Sequence, residues 1–125
     1  MGNWKHFQEG EVAGLDTELI AMLDMAREKA GVPFLITSGK RTPDQNAGLS
    51  GTVKDSAHLT GNAVDLAVNE DHAMNRMLYG LYAAGFGRFG LYFRLDGSKL
   101  IPAHIHVDNA KDKPLEVTWS LIEAN

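Results

Sequence analysis

Residues 55–68 read DSAHLTGNAVDLAV, and residues 103–109 read AHIHVDN. In the second stretch the side chains alternate strictly, with Ile105 and Val107 on one side of an extended strand and His104, His106 and Asp108 on the other. The tail of the first stretch behaves alike: Val64 and Leu66 share one face, Ala63, Asp65 and Ala67 the other. Strands that are apolar on one face belong to a sheet packed on helices through that face. Such a sheet buries Val64, Leu66, Ile105 and Val107 and leaves Asp65, His104, His106 and Asp108 on its open face. If the two strands are neighbours, these ionisable groups converge. His58 precedes its strand, and Gly61 permits a turn that folds it back beside Asp65.

The flanking sequence supplies the helices. In DTELIAMLDMAREKA (16–30), Leu19, Ile20, Leu23, Ala26 and Ala30 recur at helical spacing, Asp16 or Thr17 can cap the start and Gly31 can end it. A second helix is predicted over 70–84, with Met74, Met77, Leu78 and Leu81 as its apolar stripe. FLITSG (34–39) reads as a short buried strand entering a loop, where Pro43 suits the first turn of a short helix. RFGLYFRL (88–95) is a further strand, followed by a polar turn at DGSK. LEVTWSLI (115–122) fits either a last strand or a closing helix. Residues 1–14 read as an irregular lead-in, with Trp4 and Trp119 as packing residues and His6 and His72 as solvated ones. The expected fold is α+β, a small antiparallel sheet packed on helices, in a single domain spanning 1–125.

Bulk properties narrow the function classes. The 125 residues are 44% hydrophobic and 22% charged, with a net charge of −4 and Lys and Arg scattered along the chain. That composition argues against a nucleic-acid or polybasic membrane surface. There is no cysteine, so a metal site here needs His and carboxylate ligands. The N-terminus lacks the apolar run of a signal peptide and no stretch is long enough to span a bilayer. Action at a cell wall would then require release by other means, and the cytoplasm is the other location. A monomer is assumed.

Two imidazoles and one carboxylate are what a catalytic zinc site requires, because three protein ligands leave the fourth position to water. Non-haem iron sites use the same ligand types. The seven-residue separation of His58 and Asp65 favours zinc, since iron oxygenases usually place their first His and carboxylate one residue apart.

SAHLTGNAVD (56–65) fits the pattern S-x-H-x-x-G-x-A-x-D, and HIHVD (104–108) fits a downstream H-x-H segment. In both, the chain resembles the zinc D-Ala-D-Ala carboxypeptidases of the Hedgehog/DD-peptidase superfamily. That group includes peptidoglycan-trimming carboxypeptidases and phage endolysins that cut L-Ala–D-Glu bonds. ITSGKRTPDQN (36–46) resembles the family segment S-G-[YF]-R-[ST], with Lys40 where an aromatic residue is usual, and GFGRFGLYF (85–93) resembles the stretch before the last ligand.

Carried over residue by residue, the resemblance implies one zinc ion held by His58, Asp65 and His106 on the open sheet face. It implies that His104 assists the reaction, that Arg41 binds the substrate carboxylate through its planar fork, and that Ser56 and Asp108 orient ligands by hydrogen bonds. Some members carry Glu or Asp three residues before the final His ligand. Here that position is Ala103, so His104 becomes the candidate for polarising water or stabilising the oxyanion, with Asp108 second. The implied activity is a zinc metallopeptidase acting on peptidoglycan stem peptides, of carboxypeptidase or endopeptidase type. Two alternatives stay open at this stage: a non-catalytic, metal-stabilised module that binds cell-wall peptide, and an iron oxygenase.

Overall fold

The computed structural model describes residues 4–39, 60–110 and 116–123. Helix α1 spans Thr17–Ala30; the side chain of Asp16 accepts from the Leu19 N–H at its start, and Gly31 closes it in the left-handed conformation with φ 72°. Helix α2 spans Asp71–Ala83, and the Glu70 side chain accepts from the Ala73 N–H. Both caps satisfy backbone donors that the helix itself leaves unpaired. The helices pack together where Gly80 of α2 meets Ala26 and Ala30 of α1.

Among the described residues five strands follow one another, β1 (Ile36–Ser38), β2 (Ala63–Ala67), β3 (Arg88–Asp96), β4 (Lys99–Asp108) and β5 (Val117–Ile122). Their order across the sheet is β1-β2-β4-β3-β5. The two strands read first in the sequence are thus neighbours, and β2 pairs antiparallel with β4 in the register Val64↔Val107, Asp65↔His106, Leu66↔Ile105. Val64, Leu66, Ile105 and Val107 are fully buried against Leu19, Leu23, Met77 and Leu81 of the helices. Each such side chain removed from water contributes ~1.5–3 kcal/mol, so the periodicity that predicts this face is also what holds it.

Three expectations need correction. The sheet is mixed rather than antiparallel, because β5 runs parallel to β3, pairing Arg88↔Val117 through Phe93↔Ile122. The reason is topological. β4 ends where β3 begins, and a short connection returning along the outer edge of β3 must run in the direction of β3. LEVTWSLI is therefore a strand, whose partner and direction no side-chain period can specify. The lead-in expected to be irregular contains a turn of 3-10 helix over Glu9–Val12, and it is docked, since Phe7 and Val12 are buried and the Lys5 and His6 N–H groups donate to Asp24. His6 itself is paired, its Nε2 2.7 Å from Glu28 Oε1, whereas His72 is exposed as expected. Among the described residues no helix is long and apolar enough to cross a membrane.

Candidate metal centre

Strand register builds the site. Asp65 on β2 faces His106 on β4, His106 faces Gly90 on β3, and Gly90 faces Trp119 on β5. One row across the sheet therefore carries a carboxylate, an imidazole, a gap and an indole. His106 uses both ring nitrogens: Nδ1 lies 3.1 Å from Asp65 Oδ1 and Nε2 lies 2.8 Å from Asp108 Oδ2. Trp119 leans over the same ring, with centroids 5.5 Å apart. It occupies the space above Gly90, where an added Cβ would come within 2.7 Å of the indole.

Asp108 departs from the open position expected of it. It shares the face of His106, but that face is closed at this end, and Asp108 is only 2% exposed. Arg88 Nε donates to its Oδ1 at 2.7 Å, the Ala110 N–H donates to the same oxygen at 3.1 Å, and the Arg88 guanidinium lies 5.4 Å from the Trp119 ring. A buried carboxylate needs such partners to remain ionised. Burial alone would raise the Asp108 pKa, but the hydrogen bond from His106, together with the Ala110 N–H and Arg88, holds it below the ordinary carboxylate value. Burial alone would lower the pKa of His106, and the hydrogen bonds to Asp108 and Asp65 outweigh it and raise it.

These residues fit a tetrahedral cation. Metal–ligand bonds of ~2.0–2.1 Å place two ligand atoms about 3.3 Å apart, close to the separation of His106 Nδ1 and Asp65 Oδ1. A ligating histidine characteristically donates its other N–H to a carboxylate, which is the relation of Nε2 to Asp108. Among the described residues no group of three His, Asp or Glu side chains could hold a metal ion, and these residues include two of the three expected donors. The third, His58, lies outside the described residues, as do Arg41, Ser56 and Lys40.

His104 stands two residues from His106 on the same strand face, opposite Ala67. Its Nδ1 is 2.6 Å from Glu123 Oε1, and its ring stacks on Tyr92 with centroids 4.2 Å apart and planes 12° from parallel. The Tyr92 hydroxyl in turn accepts from Trp119 Nε1 at 3.4 Å. Sequence reading missed Arg88, Tyr92, Trp119 and Glu123 as members of this cluster. For two of them a signal existed: in RFGLY, Arg88 and Tyr92 alternate with the core residues Phe89 and Leu91, so they share the face of the histidines. Nothing in the sequence brings β5 to the same place.

In fold the chain is similar to the crystal structure of the L-Ala D-Glu endopeptidase ChiX of Serratia marcescens, with a TM-score of 0.58 and 19% identity, over 84% of this chain and 88% of that one. No curated protein is similar enough in sequence to count as a relative. The family model for peptidase M15 matches residues 2–108, which contain α1, α2 and strands β1 to β4. The chain belongs to the peptidase M15 family.

Proposed function

We propose that this peptidase is a zinc enzyme that hydrolyses the stem peptides of peptidoglycan, with His58, Asp65 and His106 as its metal ligands. The observation that carries the reading is the pair His106 Nδ1 and Asp65 Oδ1 at 3.1 Å, with Nε2 already engaged by a buried carboxylate. Bound zinc supplies Lewis acidity and lowers the pKa of its water toward ~7. The chain's own residues prepare that chemistry. Asp108, fixed by Arg88, takes the Nε2–H of His106 and so leaves the Nδ1 lone pair for the ion. We assign His104, on the same face, to accepting a hydrogen bond and then a proton from the attacking water, and, once protonated, to stabilising the oxyanion. Arg41 binds the peptide carboxylate and holds the scissile bond in register. The substrate class is supported by the M15 family and by the similar fold of an L-Ala D-Glu endopeptidase.

The test is digestion of purified peptidoglycan by zinc-reconstituted protein, with the fragments read by mass spectrometry. Chelator-treated protein and His106→Ala are the controls. Released D-Ala marks a D-Ala-D-Ala carboxypeptidase, and a new N-terminal D-Glu marks an L-Ala-D-Glu endopeptidase. Tightly bound zinc without any product, across several wall chemistries, would instead identify a wall-peptide-binding module.

A further inference from the structure

We propose that Glu123 is a positioning residue that fixes the ring of His104 for work at the centre formed by Asp65 and His106. The proposal rests on the reading above, in which His104 assists hydrolysis.

The observations come from the strand that lies past the family match, which ends at residue 108. β5 runs along β3 and delivers Glu123 two residues past Leu121, which pairs with Tyr92 in the row of His104. Phe93 pairs with Ile122, and the Glu123 N–H donates to the Phe93 carbonyl at 2.7 Å, so the backbone of Glu123 is anchored. Its carboxylate lies 2.6 Å from His104 Nδ1. Tyr92 covers one face of the imidazole. Together these two contacts determine which ring nitrogen carries the hydrogen and in which plane the ring lies.

A carboxylate at Nδ1 holds the Nδ1–H form and leaves the Nε2 lone pair as the working edge of the ring. Carboxylate-oriented histidines in hydrolases follow this logic, because a ring in the wrong tautomer presents a donor where an acceptor is needed. The geometry beside Ala103 reinforces it. Tyr92 pairs with His104 while Phe93 pairs with Pro102, so Ala103 sits in a bulge without a partner on β3. A bulge re-aims the side chains next to it, and a re-aimed imidazole has to be held by something outside the ladder. Glu123 and Tyr92 supply that hold.

Two measurements on the full chain test the proposal. Long-range proton–nitrogen NMR, at a pH where the ring is neutral, reads the His104 tautomer with no need for activity. Wild type is expected to show the Nδ1–H form. Glu123→Gln should keep it, because the amide oxygen still accepts, and Glu123→Ala should shift it toward the Nε2–H form. An unchanged tautomer in Glu123→Ala would overturn the proposal.

Kinetics on a stem peptide supply the second readout. Glu123→Ala should lower kcat by roughly 10–100-fold, leave KM within about threefold, and cost nothing further when added to His104→Ala. Glu123→Gln should recover most of the loss. Full kcat in Glu123→Ala, or a multiplicative loss in the double variant, would overturn the role. A wild-type protein that cleaves no peptide would sink the peptidase reading, while the tautomer measurement would still decide what Glu123 does.

Discussion

Arg88 and Asp108 form a buried ion pair, Nε to Oδ1 2.7 Å, at the junction of β3 and β4. Both side chains are almost wholly withdrawn from water, at 10% and 1% exposure. Neither charge has a solvent fallback. Asp108 also holds His106, so the pair links core stability to the orientation of a candidate metal ligand. Breaking a buried pair from one side leaves an uncompensated charge and costs about 3–5 kcal/mol. Arg88→Met is therefore expected to lower unfolding stability in urea by about that amount, and Arg88→Lys by less, since it keeps the charge and loses only the fixed fork. A loss under about 1 kcal/mol for Arg88→Met would show that the pair orients His106 without stabilising the fold.

Metal affinity should depend on Asp108 although it is not an expected ligand. Asp108→Asn keeps the shape and removes the charge that favours the Nε2–H form of His106. Loss of such a partner typically weakens binding by about 10–100-fold. Competition for zinc against a chelator would read this directly. His106→Ala, which removes a ligand, should bind far more weakly still. Equal affinity in Asp108→Asn and wild type would mean that His106 needs no help in presenting Nδ1.

The pH dependence of the metal-free protein follows from the same pair of contacts. Because the folded pKa of His106 is raised, its imidazolium stabilises the native state fully below the unfolded value of about 6.5. That contribution is lost as pH rises through the folded value. Asp108 behaves oppositely: its folded pKa is lowered, so its contribution is present above the unfolded value of about 3.9 and is lost as pH falls through the folded value. Urea denaturation of metal-free protein should accordingly show stability declining from slightly acid to mildly alkaline pH, with a flatter profile in His106→Gln. Zinc binding should move the other way, strengthening over the same interval, because the ion and the proton compete for Nδ1. A flat wild-type profile would remove His106 as the titrating group.

The sheet face and the two helices were legible in the sequence because each is a matter of period. Ile105 and Val107 against His104 and His106 declare a strand with two different sides, and Leu19, Leu23 and Ala26 declare a helix. The pairing of β2 with β4 was legible only as a condition, since alternation says which way a side chain points and not which strand lies beside it. Asp65 and His106 therefore came within reach of one another by inference, whereas Arg88, Trp119 and Glu123 did not. Arg88 reads as an ordinary strand charge until Asp108 is seen to be buried. Trp119 and Glu123 depend on β5 turning back along β3, a long-range choice made by topology and by the small size of Gly90, which no local pattern encodes.

Gly90 provides the sharpest test of that last relation. A Cβ added there would stand 2.7 Å from two indole atoms of Trp119 and 2.8 Å from Tyr92 Cε1, closer than packed atoms allow, so one of the rings must move. The neighbours are the working groups themselves: Trp119 leans on His106, and Tyr92 covers His104. Gly90→Ala is expected to cost about 1–3 kcal/mol, as overpacking does elsewhere, and to displace the indole. Because Trp4 is the other tryptophan, the comparison belongs in a Trp4→Phe background, where fluorescence reports Trp119 alone. A red-shifted emission, with peptidase activity falling more than stability, would place Trp119 and Tyr92 in the working architecture of the site. Unchanged emission in a stable Gly90→Ala protein would show that β5 does not hold its indole over β3 in solution.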